Sequence, residues 1–255
     1  MIGRLIGMLH LGPLPGAPGF AGNLGAVLAA ADHDARILEE AGFDAIMVEN
    51  FGDRPYFADD VPKVTVAALA IAVAEAGRAV KIPVGINVLR NDAVAAVSIA
   101  TAAGASFVRV NVLTGAMTTD QGIITGRAAE VARLRSSLGW PGEILADVFV
   151  KHATPPGGMT PAEAARDTWE RGGADVLIMT GAATGWGASL QAVRDVKAAV
   201  PEAPVYVGSG IDAGSIAGFL EFADGVIVGT ALKTDGVTTN PVDPERARAL
   251  VAAAG

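Results

Sequence analysis

Eight short apolar segments recur along the chain: Arg4–His10, Ala45–Glu49, Val84–Val88, Phe107–Asn111, Glu143–Lys151, Asp175–Thr180, Val205–Gly208 and Gly225–Gly229. Their length and their Val, Ile and Leu content mark them as strands. Between them lie longer amphipathic, Ala-rich stretches, among them Leu24–Ala41, Thr65–Ala76, Asp92–Ala103 and Pro161–Arg171. This sustained alternation predicts an α/β protein whose parallel sheet closes on itself, a (β/α)8 or TIM barrel. An open doubly wound sheet would carry a glycine fingerprint after its first strand. Here the first segment runs instead into His10-Leu11-Gly12-Pro13.

The connections into the strands repeat every second strand. Ala41-Gly42-Phe43-Asp44, Ala103-Gly104-Ala105-Ser106, Gly172-Gly173-Ala174-Asp175 and Phe222-Ala223-Asp224-Gly225 lead into the even-numbered segments. In the first three, Gly is placed to close the preceding helix. Ile82-Pro83, Trp140-Pro141 and Ala203-Pro204 lead into the third, fifth and seventh segments. Pro stops a helix and cannot donate to a sheet, so it fits the start of a strand. No linker or low-complexity tract interrupts the pattern, so residues 1–255 are expected to form a single domain.

Composition supports this reading. The 255 residues match one barrel of about 250 residues. Half of the residues (51%) are hydrophobic but only 5% are aromatic, so the core must come from aliphatic side chains, as in buried parallel strands under Ala-rich helices. A formal charge of −8 and the lack of a Lys/Arg cluster argue against nucleic acid as a partner. With no Cys, disulfides, thiolate metal sites and a Cys nucleophile are excluded. The longest apolar runs, such as Val64–Ala74, are too short to span a bilayer. Met1–His10 lacks a charged region followed by an apolar signal core, so a cytoplasmic location is the expectation. Homo-oligomerisation is expected only on the general habit of barrels.

Loop lengths locate a site. Helix-to-strand connections are short, whereas Leu11–Asn23, Asn50–Val64, Val112–Ile124, His152–Thr160 and Gly181–Ala188 are long strand-to-helix loops. Barrels place their chemistry on that face. Polar residues gather at the same ends: His10, Glu49 with Asn50, Asn87, Arg109 with Asn111, Asp147 with Lys151 and His152, and Thr180. A polar group in an apolar strand costs free energy unless it is paired or used. Arg109 can serve as a ligand contact or as an internal partner of Glu49 or Asp147. Asp147, Phe149 and Lys151 share strand parity, so the carboxylate and ammonium are expected on one face. Glu49 or Asp147 is then a candidate general base. Lys151 is a candidate to stabilise an oxyanion or form a Schiff base, or else a solvated strand-end lysine or a partner of Asp147. His10, Asn87, Arg109, Asn111, Asp120, His152 and Thr180 are candidate substrate contacts. No cofactor is expected, and a divalent metal on His10, Glu49 or His152 has no supporting motif spacing. His33, in the first helix, is read as surface or capping.

Near the C-terminus, Val207-Gly208-Ser209-Gly210 precedes a helix expected to open at Ile211-Asp212, and Val228-Gly229-Thr230 precedes Ala231-Leu232-Lys233. Glycines after strands seven and eight let backbone amides approach an anion, and helix N-termini favour negative charge. Gly208, Ser209, Gly210, Gly229 and Thr230 therefore form a candidate phosphate cradle, with plain tight turns as the alternative. The segments Gly12–Gly19, Thr118–Gly122 and Thr184–Gly187 read as loops able to close over a substrate, or as surface excursions. In Trp186 the alternative is a subunit contact.

The chain resembles the BtpA/SgcQ family over nearly its whole length. The resemblance rests on Ile6-Gly7-Met8-Leu9-His10-Leu11 with Pro13-Leu14-Pro15-Gly16, on Asp44–Asp53, and on Gly85–Asp92. It continues through Arg109-Val110-Asn111-Val112, Thr119-Asp120-Gln121-Gly122, Ala146-Asp147-Val148 with Val150-Lys151-His152-Ala153, Gly208-Ser209-Gly210, and Val228-Gly229-Thr230 with Lys233. It implies a barrel akin to the ribulose-phosphate-binding barrels. It implies a role either with small phosphorylated, sugar-like metabolites, under a phosphoribosylanthranilate-isomerase-like label, or in photosystem I biogenesis at the membrane periphery. The chain departs from the family pattern at Phe149, where relatives carry a polar residue, often His.

Overall fold

Eight parallel strands pair in sequence order and close into a barrel. They are β1 (Leu5–His10), β2 (Ala45–Glu49), β3 (Val84–Asn87), β4 (Phe107–Val110), β5 (Glu143–Asp147), β6 (Val176–Thr180), β7 (Val205–Gly208) and β8 (Gly225–Val228). Ring closure comes from β1 against β8, with Leu5 beside Val226 and Gly7 beside Val228. The helices are α1 (Leu24–Ala41), α2 (Lys63–Ala79), α3 (Ala93–Ala103), α4 (Ala128–Leu138), α5 (Pro161–Arg166), α6 (Leu190–Ala199), α7 (Ile216–Leu220) and α8 (Pro244–Ala254). The computed structural model describes residues 2–150, 152–155, 157–181 and 189–255. Lys151 and the Thr184–Gly187 loop lie outside the described residues. No helix among the described residues is long and apolar enough to cross a membrane.

Local signals in the chain explain the helix ends. The side chains of Asn23 and Asp92 accept from Ala26 N and Ala95 N and so cap α1 and α3, while Gly42 and Gly104 close these helices in the left-handed region. Thr160 and Glu163 form a reciprocal capping box at the start of α5. The predicted Pro161–Arg171 helix is α-helical only to Arg166 and continues to Arg171 as a π turn.

Strand alternation divides the apolar residues into two layers. Outward residues, such as Leu9, Ile46, Ile86, Val108 and Val207, pack under the helices. Inward residues, including Ile6, Met8, Ala45, Met47, Phe107, Ile178, Tyr206 and Ile227, fill the barrel. Two rings do much of the filling by lying over glycines. A Cβ at Gly85 would meet the Phe107 ring at 2.1 Å, and one at Gly225 would meet the Tyr206 ring at 2.6 Å. Large and small residues are thus matched across neighbouring strands, leaving the interior packed up to the mouth.

Two predicted elements need correction. The fifth strand ends at Asp147 rather than Lys151, and Val148 and Phe149 bend away. Period-two parity therefore stops at Asp147, and the shared face inferred for Asp147 and Lys151 has no strand to support it. The long loop expected after β4 contains two strands: Ala116–Thr119 and Gly122–Thr125 pair as an antiparallel hairpin. Ala153–Thr154, after β5, adds to its edge.

Candidate active site

Register brings the polar strand ends together. His10 lies beside Glu49, Glu49 beside Asn87, and Asn87 beside Arg109. This inward polar layer sits directly above the apolar filling. Glu49, Asn87, Arg109, Asn111 and Asp147 are all buried. His10 Nε2 stands 3.7 Å from Glu49 Oε1.

The deepest part is a hydrogen-bonded network. Arg109 grips Asp147 with Nε at 3.2 Å and Nη2 at 3.0 and 3.1 Å. Asn111 Nδ2 donates to the same carboxylate at 2.9 Å, and Asn87 Nδ2 donates to Asn111 Oδ1 at 3.0 Å. Burial opposes the charge on Arg109, but Asp147 and Glu49 outweigh it and hold the guanidinium above its ordinary value. Of the two readings open for Arg109, the internal partnership with Asp147 is realised, and Arg109 still borders the cavity above.

That cavity occupies the mouth and encloses about 1090 Å3. His10, Glu49, Arg109, Asn111, Asp120, His152, Ser209, Gly210, Gly229 and Thr230 line it. Asp120 comes from the hairpin turn after β4 and His152 from the segment after β5. Asn87, Asp147, Thr180 and Gly208 do not reach the wall. Asn87 and Asp147 belong to the network beneath it, and Thr180 Oγ1 donates to the Phe149 carbonyl at 2.7 Å, holding the bend after β5. Gly208 faces inward beneath the mouth, where an added Cβ would lie 3.8 Å from Arg109 Nη2.

The expected helix dipoles are a further correction. The helix after β7 begins at Ile216, not at Asp212, and is five residues long. Asp212 Oδ1 instead accepts from Gly214 N, Ser215 N and Ser215 Oγ and closes a turn of its own. After β8, Thr230–Leu232 is a single 3-10 turn. Any anion held here would rest on loop backbone and side chains. In this loop Ser209 (φ 86°) and Gly210 (φ 73°) both take positive φ, which is uncommon for a non-glycine residue. Gly229 lies close under the His10 ring, and a Cβ there would stand 3.0 Å from it.

Arg54, Tyr56, Arg90 and Arg246 also line the cavity. They lie in loops or on α8, outside the strands whose polar residues mark the mouth. Arg90 alone was within reach of that signal, just past Asn87. Lys233 is turned away from the mouth. It is buried against Asp34 at 2.9 Å, its basicity lowered by burial, and it ties the segment after β8 to α1. Among the described residues no group of three or more His, Asp or Glu is arranged to hold a metal.

The BtpA family pattern matches residues 2–255. The chain belongs to the BtpA family. It is 50% identical over 244 residues to an uncharacterized protein of Pyrococcus abyssi, covering 95% of this chain and 92% of that one. It is 45% identical over 249 residues to the photosystem I biogenesis protein BtpA of Synechocystis, covering 98% and 87%. The putative sgc region protein SgcQ of Escherichia coli is 32% identical over 246 residues, covering 95% and 90%. Among solved structures, the fold matches thiamine phosphate pyrophosphorylase of Pyrococcus furiosus with a TM-score of 0.62 at 14% identity, over 99% of this chain and 96% of that one. It matches N-(5'-phosphoribosyl)anthranilate isomerase of the same organism with a TM-score of 0.59 at 15% identity, over 99% and 98%. At such identities these likenesses carry the TIM-barrel fold.

Proposed function

We propose that the chain is an enzyme acting on a small phosphorylated, sugar-like metabolite, by isomerisation or carbon–carbon lysis. The observation that carries this reading is one cavity bordered on one side by His10 and Glu49 and on another by the Ser209–Gly210 and Gly229–Thr230 turns. In this reading the turns hold the phosphate, and Gly208 supports them from below. Glu49, with His10 beside it, moves a proton on the carbon chain. Asp147 is assigned to hold Arg109 and Asn111 rather than to touch substrate, because both its oxygens are engaged in the network. Arg109, Asn111, Asp120 and His152 orient the ligand, and Asn87 and Thr180 brace them. Lys151 is assigned to stabilise developing charge. Two solved barrels of the same fold are named for a phosphate and a phosphoribosyl compound, and the proposal extends that chemistry by analogy of fold.

Titration calorimetry with a panel of sugar phosphates tests the reading. Binding by at least one is expected, and binding by none would sink it. Once a substrate is found, Glu49→Gln should lower kcat by about 10²- to 10⁴-fold. Normal turnover by that variant would remove Glu49 from the chemistry.

A second reading is a non-catalytic assembly factor. It is favoured by the name of the Synechocystis relative, a photosystem I biogenesis protein. Co-purification with a membrane complex, without sugar-phosphate binding, would select it.

A further inference from the structure

Arg90 follows β3 and Ser209 follows β7, and these strands stand four places apart around a ring of eight. Their loops therefore face each other across the mouth, and both border the same cavity. Arg90 is buried, and burial pushes its guanidinium below the ordinary value, with Asp147 and Glu49 restoring only part. An anion arriving beside Arg90 would return what desolvation removes.

Arg54 stands on the same side but is exposed. Its guanidinium lies 4.2 Å from the centre of the Phe51 ring. Its Nε donates to the Tyr56 hydroxyl at 3.3 Å, and that hydroxyl donates to the Phe51 carbonyl at 2.7 Å. An exposed arginine held on an aromatic face and by a hydrogen bond has given up rotamer freedom before any ligand arrives. The Phe51 ring also meets His10, with centroids 4.7 Å apart, and His10 borders Gly229. One wall thus runs from the Gly229 turn to Arg54. The volume of about 1090 Å3 lies at the top of the usual range for a small-molecule site, roughly 300–1,000 Å3. It has room for more than one phosphate-bearing end.

We propose that Arg54, Tyr56 and Arg90 form a second anion subsite, across the mouth from the Ser209–Gly210 turn. The ligand is then a compound with an anionic group at each end, either a sugar bisphosphate or a phosphorylated carboxylate. The inference rests on the phosphate reading of the first subsite and names its substrate class. A monophosphate would engage one end only.

The test is calorimetry on the full chain with inorganic phosphate, ribose 5-phosphate, ribulose 1,5-bisphosphate and 3-phosphoglycerate. At least one of the two doubly anionic probes should bind about tenfold tighter than ribose 5-phosphate, the gain expected of one charge-assisted contact. Which of them gains separates the bisphosphate from the carboxylate. Arg54→Gln, a change to an exposed side chain, should bring that probe to within about twofold of ribose 5-phosphate, on the same conversion. Arg90→Gln should act in the same direction. Equal affinities in the unaltered chain, or an advantage that survives Arg54→Gln, would overturn the second subsite. If none of the four probes binds at millimolar concentration, the first subsite fails as well, and the proposed function with it.

Discussion

After β1 to β4, side chains tie each loop of the mouth to the next, whereas after β7 and β8 each loop is closed mainly on itself. Asp53 accepts from Leu14 N at 2.8 Å and joins the first two loops. Asn50 accepts from Leu89 N at 2.7 Å and joins the second to the third. Asn91 both accepts from Val112 N and donates to Val112 O, joining the third to the fourth. On the other side, Asp212 bonds within its own turn, and Thr230 bonds Thr238 within the segment after β8. The difference follows what each half presents. The first half carries side-chain charges, Glu49, Arg90 and Arg109, in buried positions where only a fixed frame keeps them paired. The second presents backbone at Ser209, Gly210 and Gly229, which short local turns suffice to shape.

The contrast breaks most visibly at Arg109. Arg109→Leu strands Asp147 as a buried charge and should cost about 3–5 kcal/mol in chemical denaturation. A loss below about 1 kcal/mol, the level of an exposed pair, would mean that the network is ornamental. Asn50→Ala leaves the buried Leu89 amide without its acceptor and should cost about 1–3 kcal/mol. The matching change in the other half, Asp212→Ala, removes only exposed turn bonds and should cost about 1 kcal/mol or less. Equal losses for the last two would erase the difference between the halves. Ser209→Gly should raise stability by roughly 1 kcal/mol, because glycine carries no penalty at that φ. A destabilised variant would show that Ser209 is held by contacts rather than strained.

The smallest effect is electrostatic. Burial pushes the Asp53 carboxyl above its ordinary value, despite hydrogen bonds from Leu14 N and Asn50. The folded chain thus holds this proton more tightly than the unfolded chain does. Its contribution is fully present below the unfolded pKa and is lost as pH rises through the folded one. The denaturation midpoint of the unaltered chain should therefore fall, relative to Asp53→Asn, as pH rises through the carboxylate range toward neutrality. A difference that stays flat or runs the other way would contradict the assignment.

Much of the site was legible. His10, Glu49, Asn87, Arg109 and Asp147 are polar residues within or at the end of apolar segments, and closing the sheet was enough to gather them. Arg54 and Arg246 were not legible, because a loop arginine and a surface helix arginine look alike until the cavity between them exists. The bend at Val148 was hidden as well, because Val148-Phe149-Val150 continues the apolar run of β5 without a break. Thr180, which holds that bend through Phe149 O, comes from the next strand.

Taken alone, the order of apolar and polar residues determined the number of barrel strands, their direction, the closure and the face on which the polar strand ends gather. These follow from strand periodicity, helix caps and loop lengths, all of which act over a few residues. Tertiary structure decided which carboxylate is committed and which borders the cavity. It also decided that the turns after β7 and β8 have no long helix directly behind them, and that the loop of Arg90 stands across the mouth from that of Ser209. Those outcomes depend on register between strands far apart in the chain and on how much water burial removes from each charge. Neither quantity exists until the barrel has closed.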